Sequence, residues 1–399
     1  MASPYVERGS LTIFDANSKT QIQNMKRLFF LLPVCVLALS SCVKSEPLNP
    51  EADILTFLVS DRTVVLDSVI TNENITIFIT EEAKSKITAI APIITTTPGA
   101  RLEPASGTIL DFSTTQTYKV YPENGKGFKE YKVNFVSYYP LTYRFEKWFT
   151  TGAGRRIYET PYEEEFGIDF NIWSSGNKGI AAYTNAPYAT RKSELPEEAR
   201  EGLAAKMLTM AGPGKILGRN IPVVAGSLYQ GEFILDVAKP IRSPKFGMPY
   251  SIAPMMPDSL QGYYKYRAGE GDFINETGGI VPNMTDSCSI YGVLYEYTGE
   301  RLTGENILDF DAENIVATAW VPRTTRTPGN DFVYFNVPFK YKSSYQSAAD
   351  FEGKKYYFTL VFSSSFKGDY YEGTPGSLLL IDDVNIPVRV NTDPNLYNR

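Results

Sequence analysis

The 399-residue chain carries 39 Lys+Arg against 45 Asp+Glu, a formal net charge of −6 at pH 7. That acidic balance excludes nucleic acid as a partner, because phosphate binding needs clustered positive charge. Histidine is absent from the sequence, which excludes Ser-His-Asp and Cys-His catalysis, the usual zinc sites and imidazole acid–base chemistry.

In chain order, the first feature lies at residues 25–42. Lys26 and Arg27 form a positive start, Leu28 to Leu39 an apolar stretch, and Leu39-Ser40-Ser41-Cys42 a small-residue cleavage site. About 12 apolar residues fall short of the roughly 20 that span a bilayer. The segment resembles the signal and lipobox of bacterial lipoproteins, in which the cysteine after the cut bears the lipid. That resemblance implies a signal peptide at 25–41, lipidation of Cys42, and a membrane attachment through the lipid anchor. The expected location is the cell envelope, as a surface-exposed outer-membrane lipoprotein. Residues 1–24 precede the expected start at Met25 and read as a start-codon artefact. Cys35 leaves with the signal and Cys42 is acylated, so Cys288 has no disulfide partner and is expected as a small buried hydrophobe.

Residues 42–50 are polar and contain two prolines, the composition of an extended tether. Residues 51–137 then read as short strands. Ile54 to Val59, Val64 to Val69, Ile75 to Ile79 and Ile87 to Ile94 are rich in β-branched residues. Ile75, Ile77 and Ile79 alternate with Thr76 and Phe78, the period of a strand with one face inward. Thr97-Pro98-Gly99-Ala100, Pro104 to Gly107 and Asn124 to Gly127 mark turns. The last of these joins Tyr118 to Tyr121 and Tyr131 to Phe135 as a hairpin. This spacing predicts an immunoglobulin-like sandwich, and the order of its phrases resembles the immunoglobulin-like modules that precede functional domains in bacterial surface lipoproteins.

Tyr138-Tyr139-Pro140 marks a boundary. Residues 141–392 hold all three tryptophans and a series of strand-like runs: Leu141 to Trp148, Ile168 to Trp173, Val223 to Leu235, Ser289 to Tyr297, Asn314 to Val321, Phe332 to Lys342, Lys354 to Ser363 and Ser377 to Val384. One helix is expected after Ser193. Pro196-Glu197-Glu198 suits a first turn, and Leu203, Ala204, Met207 and Leu208 form an apolar face. The fold class is therefore all-β: an immunoglobulin-like sandwich followed by a larger jelly-roll-like sandwich with one or two short helices.

Several phrases recur together in this second region: Tyr143-Arg144-Phe145-Glu146-Lys147-Trp148, Trp173 to Gly179, Ala225 to Phe233, Phe246-Gly247-Met248-Pro249-Tyr250 and Leu260 to Tyr266. As a set they resemble the putative carbohydrate metabolism domain, a family of surface lipoproteins in glycan-foraging bacteria. The resemblance implies contact with a polysaccharide or glycoconjugate. Sugar C–H faces stack on rings and their hydroxyls need fixed polar partners. Trp173, Tyr263, Tyr264, Tyr266 and Trp320 are candidates for the platform, with Asn177, Lys265 and Arg267 as polar neighbours. In a strand, Tyr264 and Tyr266 share one face and Tyr263 takes the other, so part of this set belongs to the core. Carbohydrate-binding jelly rolls also resemble this chain in pairing a first-strand Glu with a last-strand Asp. That implies a structural calcium held by Glu146 with Asp382 and Asp383. Alternatively, Glu146 pairs with Arg144 or Lys147 and Asp383 faces solvent.

Three readings of function remain open. The leading one is a lipid-anchored envelope protein that binds glycan as part of a glycan-utilisation system. A second is a structural or adhesive surface component, a fimbrial-tip or outer-membrane complex subunit with other surface proteins as partners. The third is a carboxylate-dependent glycosidase or lyase. Glu163-Glu164-Glu165, Asp169, Glu232 and Asp236 supply carboxylates, but no spacing singles out an acid and a nucleophile. The glutamate run reads as a solvated loop. No catalytic residue is therefore assigned.

Overall fold

The computed structural model describes residues 47–61, 64–80, 82–251, 255–345, 351 and 353–390. Residues 1–24, the signal at 25–41, Cys42 and positions 391–392 lie outside the described residues. Among the described residues no helix is long and apolar enough to cross a membrane.

The N-terminal unit is a small β-sandwich. Ile54–Leu58 pairs antiparallel with Ile93–Thr96. The facing sheet runs Val65–Ile70, Asn74–Ile79, Lys129–Ser137, Gln116–Tyr121 and Arg101–Glu103, with Asn74–Ile79 parallel to Lys129–Ser137. Ile75, Ile77 and Ile79 are buried with Phe57, Tyr118 and Val133, so the period-2 pattern sets the inward face. The hairpin expected around Asn124 to Gly127 is present, pairing Tyr118 with Tyr131. The strand expected over Ile87 to Ile94 begins only at Ile93. Before it, Glu82–Ala89 forms a 3-10 helix. Ala83 and Ile87, four residues apart, both face the core, which is a helical spacing and not a strand's.

At the boundary, two neighbouring tyrosines point opposite ways. Tyr138 packs edge-on against Phe78 of the first unit and Phe166 of the second, and its hydroxyl donates to the Glu165 carboxylate. Tyr139 is buried in the second unit's core against Tyr250 and Phe358.

The second unit stacks an eight-stranded sheet on a six-stranded one. The main path of the larger sheet is Trp173–Ser174, Ser227–Phe233, Tyr356–Ser363, Ser289–Glu296, Ile315–Trp320 and Lys340–Tyr341. The smaller follows Thr190–Lys192, Ala205–Leu208, Leu378–Asn385, Ser259–Arg267 and Val333–Pro338. Their facing side chains, among them Leu228, Ile290, Leu360 and Phe362 against Met207, Tyr266, Leu379 and Ile381, make one core. Because strand neighbours alternate, Tyr229, Tyr291 and Val361 point out of the larger sheet's far face, where Phe246, Leu302 and Ile307 cover part of them. Cys288 is buried among these strands, and burial pushes its thiol up to about 12.

The expected helix after Ser193 is reduced to the 3-10 turn Pro196–Glu198. Ala199 is already extended at φ −134° and ψ 162°, which ends helical continuation, and Ala205–Leu208 is a strand paired with Leu378–Asn385. Leu141 to Trp148 is also interrupted. Thr142–Tyr143 and Lys147–Thr151 are separate strands, with buried Phe145 at φ 59° between them.

Candidate functional site

A cavity of about 660 Å³ opens on the outer face of the eight-stranded sheet. Register builds its floor. Ser227 and Ser289 both pair with Ser363, and Tyr229 and Tyr291 both pair with Val361. Three neighbouring strands thus lay a row of hydroxyls beside a row holding two rings, all on one face. Ser227 Oγ accepts the Gly176 N–H at 3.3 Å, and Ser363 Oγ donates to the Ser365 carbonyl at 2.8 Å. Among the described residues Ser289 Oγ is buried without a partner.

Asp369 reaches the same cavity from the 3-10 turn Gly368–Tyr370. A Cβ on Gly368 would lie 2.6 Å from Ala225 Cβ, so only glycine allows the turn to sit this close. The carboxyl lies deep but stays open to the cavity. Among the described residues no donor pairs with it, and burial alone pushes it up to about 6. The turn is anchored from below. Asp286, fully buried, accepts hydrogen bonds from Ser365 Oγ at 2.5 Å, Ser377 Oγ at 2.8 Å and the Thr374 N–H at 2.9 Å.

The walls come from two other segments. The hairpin Met210–Ile216 and Arg219–Val224 ends in a two-residue turn in which Leu217 and Gly218 both have left-handed φ, 49° and 82°. Opposite it runs the segment carrying Leu235, Val237 and Ile241, and Arg219 Nη2 donates to the Ala238 carbonyl at 3.2 Å to tie the two together. Beside the cavity is a depression of about 290 Å³ lined by Leu308, Phe310, Trp320 and Arg323. Trp320 stacks on Tyr291 with centroids 4.7 Å apart and planes at 4°. The Arg323 guanidinium lies over both Trp320 and Phe366.

The candidates from sequence divide among three places. Trp320 alone reaches this face. Trp173 is sealed in the core against Tyr143, Phe145 and Phe362, while Tyr264 and Tyr266 are buried in the same core. Asn177 is also buried, bridging the N–H and carbonyl of Thr190. Tyr263 and Lys265 occupy the outer face of the six-stranded sheet. There Tyr263 lies under the Arg200 guanidinium and Lys265 donates to the Glu197 carbonyl. Arg267 is exposed at that strand's end.

The expected calcium ligands come near one another but have other partners. Both Glu146 oxygens accept the Leu203 N–H at 3.2 and 3.1 Å. Asp382 accepts the N–H groups of Arg200 and Asp383, and Asp383 pairs with the Arg200 guanidinium at 2.6 Å. Among the described residues no group of three or more acidic, His or Cys side chains is arranged to hold a metal. Each of the three carboxylates thus has a partner within the protein, and burial, with Asp383 and Glu146 adding like charge, raises Asp382 to about 6. Lys147 pairs with Glu164 rather than with Glu146.

The glutamate run is not a loop. It ends the strand Tyr158–Glu165, and Glu163 is buried, with desolvation raising its carboxyl to about 7. Alternation in a paired strand turns Glu163, the first of the run, inward while Glu164 stays exposed. Sequence reasoning missed Asp369 and Ser289. The available signals were Gly368-Asp369-Tyr370-Tyr371 between two strands and the apolar Leu217, Leu235 and Val237 outside strand interiors.

Residues 144–387 match the family described as putative carbohydrate metabolism domain, and residues 54–135 match the SGBP N-terminal family. The chain is similar to a solved putative glycoside hydrolase from Bacteroides thetaiotaomicron, with 32% identity over 87% of this chain and 100% of that one and a TM-score of 0.56. A second, a putative glycoside hydrolase from Bacteroides vulgatus, is 30% identical over 63% of this chain and 98% of that one, with a TM-score of 0.53. No curated protein matches the chain.

Proposed function

Because the chain belongs to the putative carbohydrate metabolism domain family, we propose that its second sandwich binds a polysaccharide or glycoconjugate in the cavity over the eight-stranded sheet. One observation carries this reading: the cavity floor sets two rings beside a serine row, and among the described residues two of its polar groups, Ser289 Oγ and the Asp369 carboxyl, have no partner. Buried polar groups are costly when unpaired. A saccharide supplies hydroxyls for those groups, and its C–H faces suit the half-buried Trp320, since Tyr229 and Tyr291 are nearly covered. Trp320, stacked on Tyr291 beside the cavity, extends the ring surface.

Binding is favoured over cleavage. Hydrolysis of a glycosidic bond by paired carboxylates needs two of them flanking that bond, and among the described residues the cavity lining contributes a single carboxyl, from Asp369. The N-terminal sandwich serves as the spacer, and lipidation at Cys42 holds both units at the outer surface of the cell envelope. The match of residues 54–135 to the SGBP N-terminal family supports that placement.

Affinity electrophoresis of the chain from Cys42 onward through gels containing different polysaccharides tests the reading. Retardation by at least one glycan is expected, weakened by Asp369→Asn and by Trp320→Ala. Unretarded migration in every gel would refute it. Palmitate labelling in the native host, abolished by Cys42→Ala, tests the anchor separately.

A further inference from the structure

We infer that the ligand of this cavity is an amphiphilic glycoside: a sugar ring set on the floor, joined to an aliphatic group that lies along the rim. The inference rests on the glycan-binding reading above and names the chemical class of the ligand.

The cavity is graded from bottom to top. Its floor offers the hydroxyls of Ser227, Ser289 and Ser363, the Tyr229 and Tyr291 rings and the Asp369 carboxyl. Exposed aliphatic side chains stand on three segments around its mouth, beside exposed Tyr183 and Arg219. Leu217 is 71% exposed at the hairpin tip, Val237 54% and Leu235 46% on the opposite segment, and Leu308 41% on the side toward Trp320. Single exposed aliphatics are ordinary, but four of them lining one cavity mark a contact surface. A bare sugar does not account for this rim. Its hydroxyls carry bound water, and setting them against four aliphatic side chains would strip that water without replacement hydrogen bonds. A floor that rewards hydroxyls under a rim that rewards methylenes is satisfied by one molecule with both parts, entering sugar first. A cavity of about 660 Å³ accommodates a hexose ring with an alkyl or acyl group beside it.

The hairpin tip supports the same reading. A two-residue turn with both φ values positive favours Asn or Gly at its first position. Leucine stands there instead, at φ 49° and mostly in solvent, where its side chain gains little from the folded protein alone. Contact with an apolar group bound at the mouth gives that leucine a role.

The test is calorimetric titration of the full mature chain with paired probes, all below their micelle concentrations. Each of glucose, galactose and mannose is supplied as its methyl, n-hexyl and n-octyl β-glycoside, and n-octanol is the tail-only control. For the sugar that binds, each methylene added between hexyl and octyl is expected to tighten binding about fourfold, and n-octanol to bind far more weakly. Leu217→Asn, which suits the turn, combined with Val237→Ser should erase the chain-length dependence and leave the methyl glycoside unchanged. Equal affinity for methyl and octyl glycosides would overturn the amphiphile and leave glycan binding standing. Octanol binding as tightly as the octyl glycosides, or no binding of any probe together with no retardation by polysaccharides, would overturn both.

Discussion

Ser365 Oγ donates to the Asp286 carboxylate at 2.5 Å in the interior of the second sandwich. Through that contact, and through Ser377 and Thr374, one buried acid holds both ends of the segment that presents Asp369. Thr209 Oγ joins from the side at 2.7 Å from both Ser364 and Ser365. The candidate site therefore depends on a residue that does not line it.

Asp286→Ala should destabilise the fold by about 2–4 kcal/mol, because two hydroxyls and a backbone N–H lose a buried acceptor together. Urea unfolding at constant m reads the effect as a lower midpoint. Asp286→Asn, which keeps an acceptor oxygen, should lose less. A midpoint unchanged in both variants would mean the segment is held by its other contacts.

Asp369 should give stability a pH dependence of known sign. Burial raises its carboxyl from the ordinary 3.8 to about 6, so the folded protein holds this proton more tightly than the unfolded chain does. The protonated carboxyl is tolerated fully below pH 4. The penalty for ionising it grows between about pH 4 and 6 and is complete above that. Asp369→Asn removes the penalty, so the variant should match wild type at pH 4 and exceed it by about 2 kcal/mol at pH 7.5. Comparing the two proteins cancels Glu163 and Asp382, which are raised in overlapping ranges. A constant gap across this range would show that Asp369 is solvated.

The tryptophans should behave differently. Trp173→Ala opens a core cavity among Tyr143, Phe145 and Phe362 and is expected to cost about 3–5 kcal/mol. Trp320→Ala removes a half-buried ring stacked on Tyr291, costs about 1–2 kcal/mol, and should reduce glycan retention while the protein stays folded. Equal destabilisation with full retention would place Trp320 in the scaffold.

Calcium should leave the protein unchanged. With N–H donors on Glu146 and Asp382 and a guanidinium on Asp383, thermal unfolding with millimolar calcium and with chelator should coincide within about a degree, as RT ln(1 + [L]/Kd) is near zero for a site that does not bind. A calcium-dependent rise that disappears in Glu146→Gln would restore the metal expected from the sequence.

What could be read without coordinates was local. Ile75, Ile77 and Ile79 announce an inward face because alternation in a strand needs no distant information. Tyr138-Tyr139-Pro140 reads as a boundary, and the structure seats Tyr138 between the two units and Tyr139 inside the second. Local reasoning failed where a neighbour in space decided the outcome. The Ala205–Leu208 run has the apolar content of a helix, but pairing with Thr190–Lys192 on one side and Leu378–Asn385 on the other makes it a strand. Glu163 has the look of a wet loop until its strand pairs and faces inward.

The sequence by itself determined an all-β chain in two parts, a small sandwich and then a larger one, and the absence of histidine chemistry, because strand period and composition belong to each segment alone. The cavity was decided only in three dimensions. Ser227, Ser289 and Ser363 are far apart in the chain and meet through strand register, and Asp369 joins them because glycine lets its turn close on Ala225. Long-range pairing sets which polar groups end up sharing a space and which are left there without a partner, and no local pattern encodes that.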